Sequence, residues 1–233
     1  MILAIVPARS GSKSVKDKNI KLLNGLPLMA YSIKAAKACR QIDKIVVSSD
    51  SQEYLNLAQD YGAEVILRPK ELAGDDAPML PVLQHAVREV EKQGDGVEVA
   101  VLLDPTSPLR LVSDIEKCLE ELKKSETKSV VTVTEVEHNP YFVMAAIEAN
   151  GYIKFPLFKT KEKIIRRQDA PKVYRINAAV YVIKKDILMK GEIFTDQTRT
   201  VIIPEERTSH IDTNLDFLFT EFLLKEGHAK LDY

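Results

Sequence analysis

Apolar residues fall along this chain in two alternating rhythms. Short continuous runs, Ile2-Leu3-Ala4-Ile5-Val6, Ile45-Val46-Val47 and Val99-Ala100-Val101-Leu102-Leu103, have the density of strands covered on both faces. Between them apolar positions recur at helical spacing. Leu28, Tyr31, Ile33, Ala35 and Ala38 predict a helix from Pro27 to about Arg40, after an Asn24-Gly25 turn. Ser51 to Tyr61 predicts a second helix stopped by Gly62, and Leu80 to Gln93 a third, ended by Gly94-Asp95-Gly96. With a strand at Glu64–Arg68, the first seventy residues read β-α-β-α-β, the rhythm of a parallel sheet with crossover helices.

Beyond the central apolar strand a helix is expected at Ser113–Lys124, with Ser113 as its N-cap. Ser129 to Val136 alternates Val with Thr or Glu and predicts a strand of more exposed character. From His138 to Arg175 the rhythm breaks, and Tyr141, Phe142, Tyr152, Phe155 and Phe158 crowd among prolines and cations. Strands at Ala178–Ile183 and Thr200–Ile203 restore the pattern, and Asp212 to Asp216 opens a last helix at Phe217–Glu226. The prediction is one α/β domain over 1–233, three-layered around a mostly parallel sheet, with an inserted short-stranded arm at about 138–175. Aromatic residues exposed on such an arm need cover, which a second subunit would supply.

Composition narrows the function classes. With 45% hydrophobic and 29% charged residues and a net charge of −1, the chain lacks the basic excess of a general nucleic-acid or membrane-surface binder. Its cations are local, at Arg9–Lys21 and Lys159–Arg167. Cys39 and Cys118 have no metal-binding or redox spacing and read as buried free thiols, which suits a reducing compartment. No apolar run is long enough for a signal peptide or a bilayer span, so a soluble cytoplasmic protein is expected.

The chemistry gathers at strand ends. After the first strand, Arg9, Ser10, Gly11, Ser12, Lys13, Lys16 and Lys18 interleave small residues with cations. By itself this stretch is either a solvated basic turn or a cradle for a polyphosphate. Its place at a strand's carboxyl end, where open α/β sheets bind ligands, favours the cradle. Neither the Walker spacing nor the dinucleotide fingerprint is present. Arg68, Asp104–Arg110 and Arg175–Asn177 lie at other strand ends and can converge on the same crevice. Cations for phosphate with carboxylates for a metal are the inventory of phosphoryl or nucleotidyl transfer. No Ser-His-Asp or Cys-His arrangement is apparent, and no residue stands out as a general base.

Taken together, the segments VPARSGSKSVKDKNIKLLNGLPL, VVSSD, LRPKELAGDDAP, LLDPTSPLR, EHNP, RRQDAPKVYRINAAVYV and IDTNLDF span nearly the whole chain. In this order the chain resembles the acylneuraminate cytidylyltransferases, or CMP-sialic acid synthetases. The resemblance implies a GT-A-like nucleotidyltransferase fold, a homodimer with arm exchange, and Mg²⁺-dependent transfer of CMP from CTP to a 2-keto sugar acid. It implies that Arg9, Ser12, Lys13, Lys18 and Asn19 hold the CTP phosphates. Arg68 and the backbone around Ala77 would hold cytosine and its neighbours, with Asp75 shaping that loop. Arg167 would pair with the sugar carboxylate, across the dimer if the arm is exchanged. Gln168, Arg175, Asn177 and Tyr181 would line the sugar side, and Asp212 would bind Mg²⁺.

The chain departs from the family pattern at three places. Asp104 replaces a usual Gln at the start of the PTSPLR motif, and His210 replaces an Asp two places before Asp212. No Lys follows the E-H-x-P motif, where Phe142-Val143-Met144-Ala145-Ala146 stands. Asp104 is open to two readings, as a metal ligand that compensates for the lost carboxylate or as a contact to a sugar hydroxyl. His210 reads as a hydrogen-bonding group behind the metal ligand, because Mg²⁺ prefers oxygen. The missing Lys, with Asp104, points to a nonulosonic acid other than N-acetylneuraminate. The competing readings are a same-fold nucleotidyltransferase using another nucleotide or sugar, and a non-catalytic nucleotide-binding homologue.

Overall fold

A computed structural model describes residues 1–74, 77–161 and 164–233. Strand β1, Ile2–Pro7, is followed by a loop and by a hairpin of β2, Leu22–Leu23, and β3, Leu26–Pro27. Asn24 and Gly25 both take positive φ in its two-residue turn, as the sequence anticipates. Helix α1 is Leu28–Ala38, β4 Lys44–Ser49, α2 Gln52–Asp60 and β5 Glu64–Leu67. Helix α3 spans Met79–Lys92, β6 Val99–Leu102 and α4 Val112–Leu122. Then come β7, Ser129–Glu135, the short pair β8, Ala146–Ile147, and β9, Ile153–Lys154, and the long β10, Tyr174–Lys184. Helix α5, Lys185–Lys190, β11, Thr198–Ile202, and α6, Asn214–Lys225, follow.

Seven strands form one sheet in the order β11-β7-β10-β6-β1-β4-β5. Every pairing is parallel except those of β10, which runs antiparallel to both β6 and β7. The period-two rule divides β1 cleanly. Ala4 and Val6 face a core shared with α1, α2 and α4, whereas Leu3 and Ile5 face one shared with α3 and α5. The three-layer α/β expectation holds. No helix among the described residues is long and apolar enough to cross a membrane.

Several element-level expectations need correction. Strand β7 is buried over Ser129–Thr134, because β10 and β11 flank it and α4 packs on it; its alternation marks polar side chains that hydrogen-bond inside, not an exposed face. Ser113 does not cap α4. The helix begins at Val112, and the N–H groups of Val112 and Ser113 donate to Asp232 at 2.7 and 3.3 Å. Helix α6 begins at Asn214, three residues earlier than expected, with Thr213 and Asp216 forming a reciprocal cap. Strand β10 begins at Tyr174, so Arg175 and Asn177 belong to the sheet and not to a preceding loop. Being antiparallel, β10 presents its beginning at the same sheet edge as the ends of β1 and β6. The polar clusters therefore share one edge, although not all of them end parallel strands.

That edge is tied together by Arg110, which is fully buried. Its Nε donates to the carbonyl of Ala179 at 2.7 Å and its Nη1 to the hydroxyl of Ser32 at 2.6 Å. Its Nη2 donates to the carbonyl of Asp104. Burial pushes the guanidinium down to about 10, still charged at neutral pH. One side chain thus fixes the loop after β6 against β10 and α1. Arg110→Met would leave two backbone carbonyls and a hydroxyl without their donor, and we expect a loss of about 3 kcal/mol of stability. Urea unfolding checks this; a change below about 1 kcal/mol would contradict the clamp.

Candidate active site

The loop after β1 turns at Gly11, which takes φ +68°, a conformation an L side chain adopts only with strain. Asp50, just past the end of β4, organises its first part. The Ser10 N–H and hydroxyl each donate to the Asp50 carboxylate, both at 2.8 Å. Farther along, the Asn19 amide donates to the carbonyl of Arg9 at 2.9 Å and closes the loop on itself. Asn19 is buried, so its side chain shapes the loop. Lys18 reaches across to the carbonyl of Ile211 at 2.6 Å, with Asp212 Oδ1 at 3.5 Å.

These contacts outline a cleft of about 460 Å³ at the carboxyl ends of β1 and β4. Arg9, Ser12, Lys13, Lys18 and Asn19 line it from the loop, and Arg68, Ala77, Thr106 and Asp212 line it from other elements. Eight residues assigned to the nucleotide or the metal from sequence therefore surround one cavity. Asp75 lies outside the described residues. Arg68 is 5% exposed and donates to the Ser48 carbonyl and hydroxyl at 2.8 and 3.2 Å and to the Leu72 carbonyl at 3.4 Å. Burial lowers it to about 10, while Asp50 supports its charge and Arg9 opposes it. Three of a guanidinium's five N–H groups are accounted for in this way, so Arg68 both builds the wall and retains donors.

A polar chain runs from the cleft toward the middle of the sheet. Asp104 Oδ1 accepts from the Thr106 N–H at 3.0 Å and its hydroxyl at 2.8 Å. The Thr106 and Ser107 hydroxyls lie 3.1 and 3.2 Å from His210 Nδ1, and His210 Nε2 lies 3.4 Å from Asp212 Oδ2. Through Thr106, His210 thus links Asp104 to Asp212. The N–H of Asp212 donates to Asp216 at 3.1 Å, which holds the backbone under Asp212.

Among the described residues no three His, Cys, Asp or Glu side chains gather as a ready-made metal cage. Mg²⁺ rarely needs one, since it takes one or two carboxylates and completes its shell with water and substrate phosphates. An oxygen donor at Asp212, on a cleft lined with cations, fits that requirement.

The sugar-side assignments divide. Arg167 and Gln168 line a different cavity, of about 620 Å³, with Glu135, Glu137, Asn139 and Lys172. There Arg167 donates to the Glu137 carboxylate and carbonyl at 3.1 and 2.7 Å, so within one chain it is not brought to the cleft. Arg175 is exposed and donates to the Thr208 hydroxyl at 2.9 Å. Asn177 turns its side chain into the sheet. It is buried, accepts from the Thr132 hydroxyl at 2.5 Å and donates to Thr134 at 3.0 Å, holding the bulge where β10 changes register against β7. Tyr181 packs edge-on to Phe194, ring centroids 6.2 Å apart, and burial and then the charge of Asp104 raise its phenol.

Sequence reading passed over Asp50, Thr106 and Glu137. Asp50 was visible as a carboxylate at a strand end; Thr106 and Glu137 act through contacts that no spacing announces.

Burial raises the Asp50 carboxyl, yet the Ser10 hydrogen bonds and the charge of Arg68 hold it below its ordinary value overall. A folded pKa below the unfolded one, about 3.9, stabilises the protein above that pH. The contribution is lost as pH falls through the folded pKa. Asp50→Asn should flatten that part of the acid limb when denaturant stability is followed from about pH 5 to pH 2; an unchanged limb would contradict the assignment.

Comparison with known proteins agrees with this geometry. A family model described as Cytidylyltransferase matches residues 3–225. The chain is 35% identical over 232 residues to post-translational flagellin modification protein B of Campylobacter coli, across 98% of this chain and 97% of that one. It is 37% identical over 227 residues to CMP-N,N'-diacetyllegionaminic acid synthase of Campylobacter jejuni, across 96% and 94%. A solved structure of CMP:2-keto-3-deoxy-manno-octonic acid synthetase complexed with CTP superposes with a TM-score of 0.73 at 14% identity, covering 97% of this chain and 99% of that one.

Proposed function

The chain belongs to the cytidylyltransferase family, and we propose that it transfers CMP from CTP to the anomeric hydroxyl of a nonulosonic, sialic-acid-like acid, releasing pyrophosphate. The observation that carries this reading is the cleft at the ends of β1 and β4. There a glycine-turned loop bearing Arg9, Ser12, Lys13 and Lys18 meets Arg68 and Asp212. Such a surface suits a triphosphate with a divalent cation.

In the proposed mechanism the sugar hydroxyl attacks the α-phosphorus of CTP in line, forming the new O–P bond as the bond to pyrophosphate breaks. Arg9, Lys13 and Lys18 neutralise the charge that grows on the leaving pyrophosphate. Arg68 and the backbone at Ala77 receive the nucleoside end. Asp212 would hold Mg²⁺, with Asp104 as a further candidate, and the ion would supply neutralisation of phosphate charge when bound. His210 orients Asp212 from behind through its Nε2 contact. Arg175 and Tyr181 flank the acceptor side, and Arg167 and Gln168 form a separate carboxylate-binding surface.

A homodimer belongs to the same proposal. Tyr152, Phe155 and Phe158 lie more than half exposed on the arm, and a partner's arm would cover them while bringing its Arg167 toward the acceptor side. The Asp104, His210 and Phe142–Ala146 differences favour an acceptor other than N-acetylneuraminate.

Pyrophosphate release with CTP and Mg²⁺ across N-acetylneuraminate, deaminated neuraminate, legionaminate, pseudaminate and the octulosonate tests the reading; no turnover on any of them would contradict it. Arg9→Ala should lower kcat/KM by about 10²–10³, the scale of one lost donor to developing negative charge. Full activity in that variant would remove Arg9 from the site.

A further inference from the structure

The loop from Asp104 to Leu111 is gripped from inside by Arg110, and its outer side is gripped as well. At its near end, the Ile211 N–H donates to the Thr106 carbonyl at 2.8 Å. From Ile211 the chain passes through Asp212 into α6, turns at Gly227 with φ +72°, and comes back over the same loop. Ala229 is buried against Leu109 and Leu223. Asp232 then accepts from the N–H groups of Val112 and Ser113 in the first turn of α4, whose own Asp114 takes the Leu111 N–H at 2.9 Å. The Tyr233 hydroxyl donates to the Pro108 carbonyl at 3.3 Å, with its ring packed on the main core.

Residues 211–233 therefore touch the loop at both of its ends. One contact sits beside Asp212, on the metal and phosphate side, and the other sits at the root of α4. We infer that this segment is a clasp that sets the position of Asp104, and that Asp232 and Tyr233 are positioning residues for the sugar acid. The inference rests on the cytidylyl-transfer reading for its catalytic consequence. Its geometric content stands on the contacts alone.

A purely structural anchor and a positioning clasp differ in what they move. Loss of an anchor lowers melting temperature and the fraction of active protein, with both KM values unchanged. Loss of the clasp shifts the loop that carries Asp104, while the Arg9–Asn19 loop, held by Asp50 and its own Asn19 contact, stays in place. With Asp104 taken as the contact to a sugar hydroxyl, the effect falls on the sugar acid, and Thr106, which lines the nucleotide cleft, keeps its Ile211 contact in variants at 232 and 233.

Asp232→Ala, Tyr233→Phe and the double variant test this, with Asp232→Asn as the conservative control that keeps an acceptor oxygen. In the Ala and double variants we expect KM for the accepted sugar acid to rise about fivefold, the scale of one lost helix cap, with KM for CTP within about twofold of the parent. Asp232→Asn should restore most of the affinity. Hydrogen exchange should quicken at 105–113 and not at 9–19 in the same variants. Unchanged exchange at 105–113, or equal changes in both KM values, would overturn the clasp. If the parent chain turns over no sugar acid, the cytidylyl-transfer reading fails, while the exchange result still decides the clasp.

Discussion

The site depends first on a buried cation that lies outside the lining of the cleft. Arg110 is wholly enclosed, and its donors go to two backbone carbonyls and one hydroxyl, not to a carboxylate. Leaving such a charge dry costs several kcal/mol unless each N–H finds an acceptor. That requirement makes the geometry around it narrow. The end of β6, the bulge of β10 and the middle of α1 must all present oxygen at once. A satisfied buried network of this kind is a source of unique conformation more than of net stability. Here the conformation it selects is that of the Asp104–Leu111 loop.

On the nucleotide side the same logic runs with the sign reversed. Asp50 sits behind a loop of cations and takes both Ser10 donors, close enough to support the charge of Arg68. Without a carboxylate in that place, Arg9 and Arg68 would face each other as like charges around an empty cleft. Asp50 therefore lets a strongly basic surface stand without a bound anion to neutralise it. The Lys18 contact to Ile211 and the His210 bridge join this half to the other. Both halves thus meet at Asp212.

Much of this was legible in the sequence because it follows from strand ends. Buried runs such as Ile2–Val6 and Val99–Leu103 announce central strands, and polar residues following them are carried to the ligand edge. That rule brought Arg9, Lys18 and Arg68 to one cleft, whereas Asp212 was named only through the resemblance. It did not anticipate the internal contacts of Asn177, which its place in an RIN segment leaves hidden. The residue satisfies a bulge formed where β10 gains extra residues on β7, and a bulge depends on pairing that local spacing does not encode. It failed for Ser113 because the cap on α4 comes from Asp232, 120 residues from Val112. Arg167 was legible as a carboxylate-binding side chain, but its cavity was not, since the arm's placement depends on long-range contacts.

The proposed function requires the Arg9–Asn19 loop to be the triphosphate half of the site. Hydrogen exchange of the chain with and without CTP and Mg²⁺ tests that most directly. Protection should appear at 9–19 and around Arg68, with none at 135–139 or 167–173 until the sugar acid is added. Protection by CTP at 135–139 and 167–173 with none at 9–19 would contradict it.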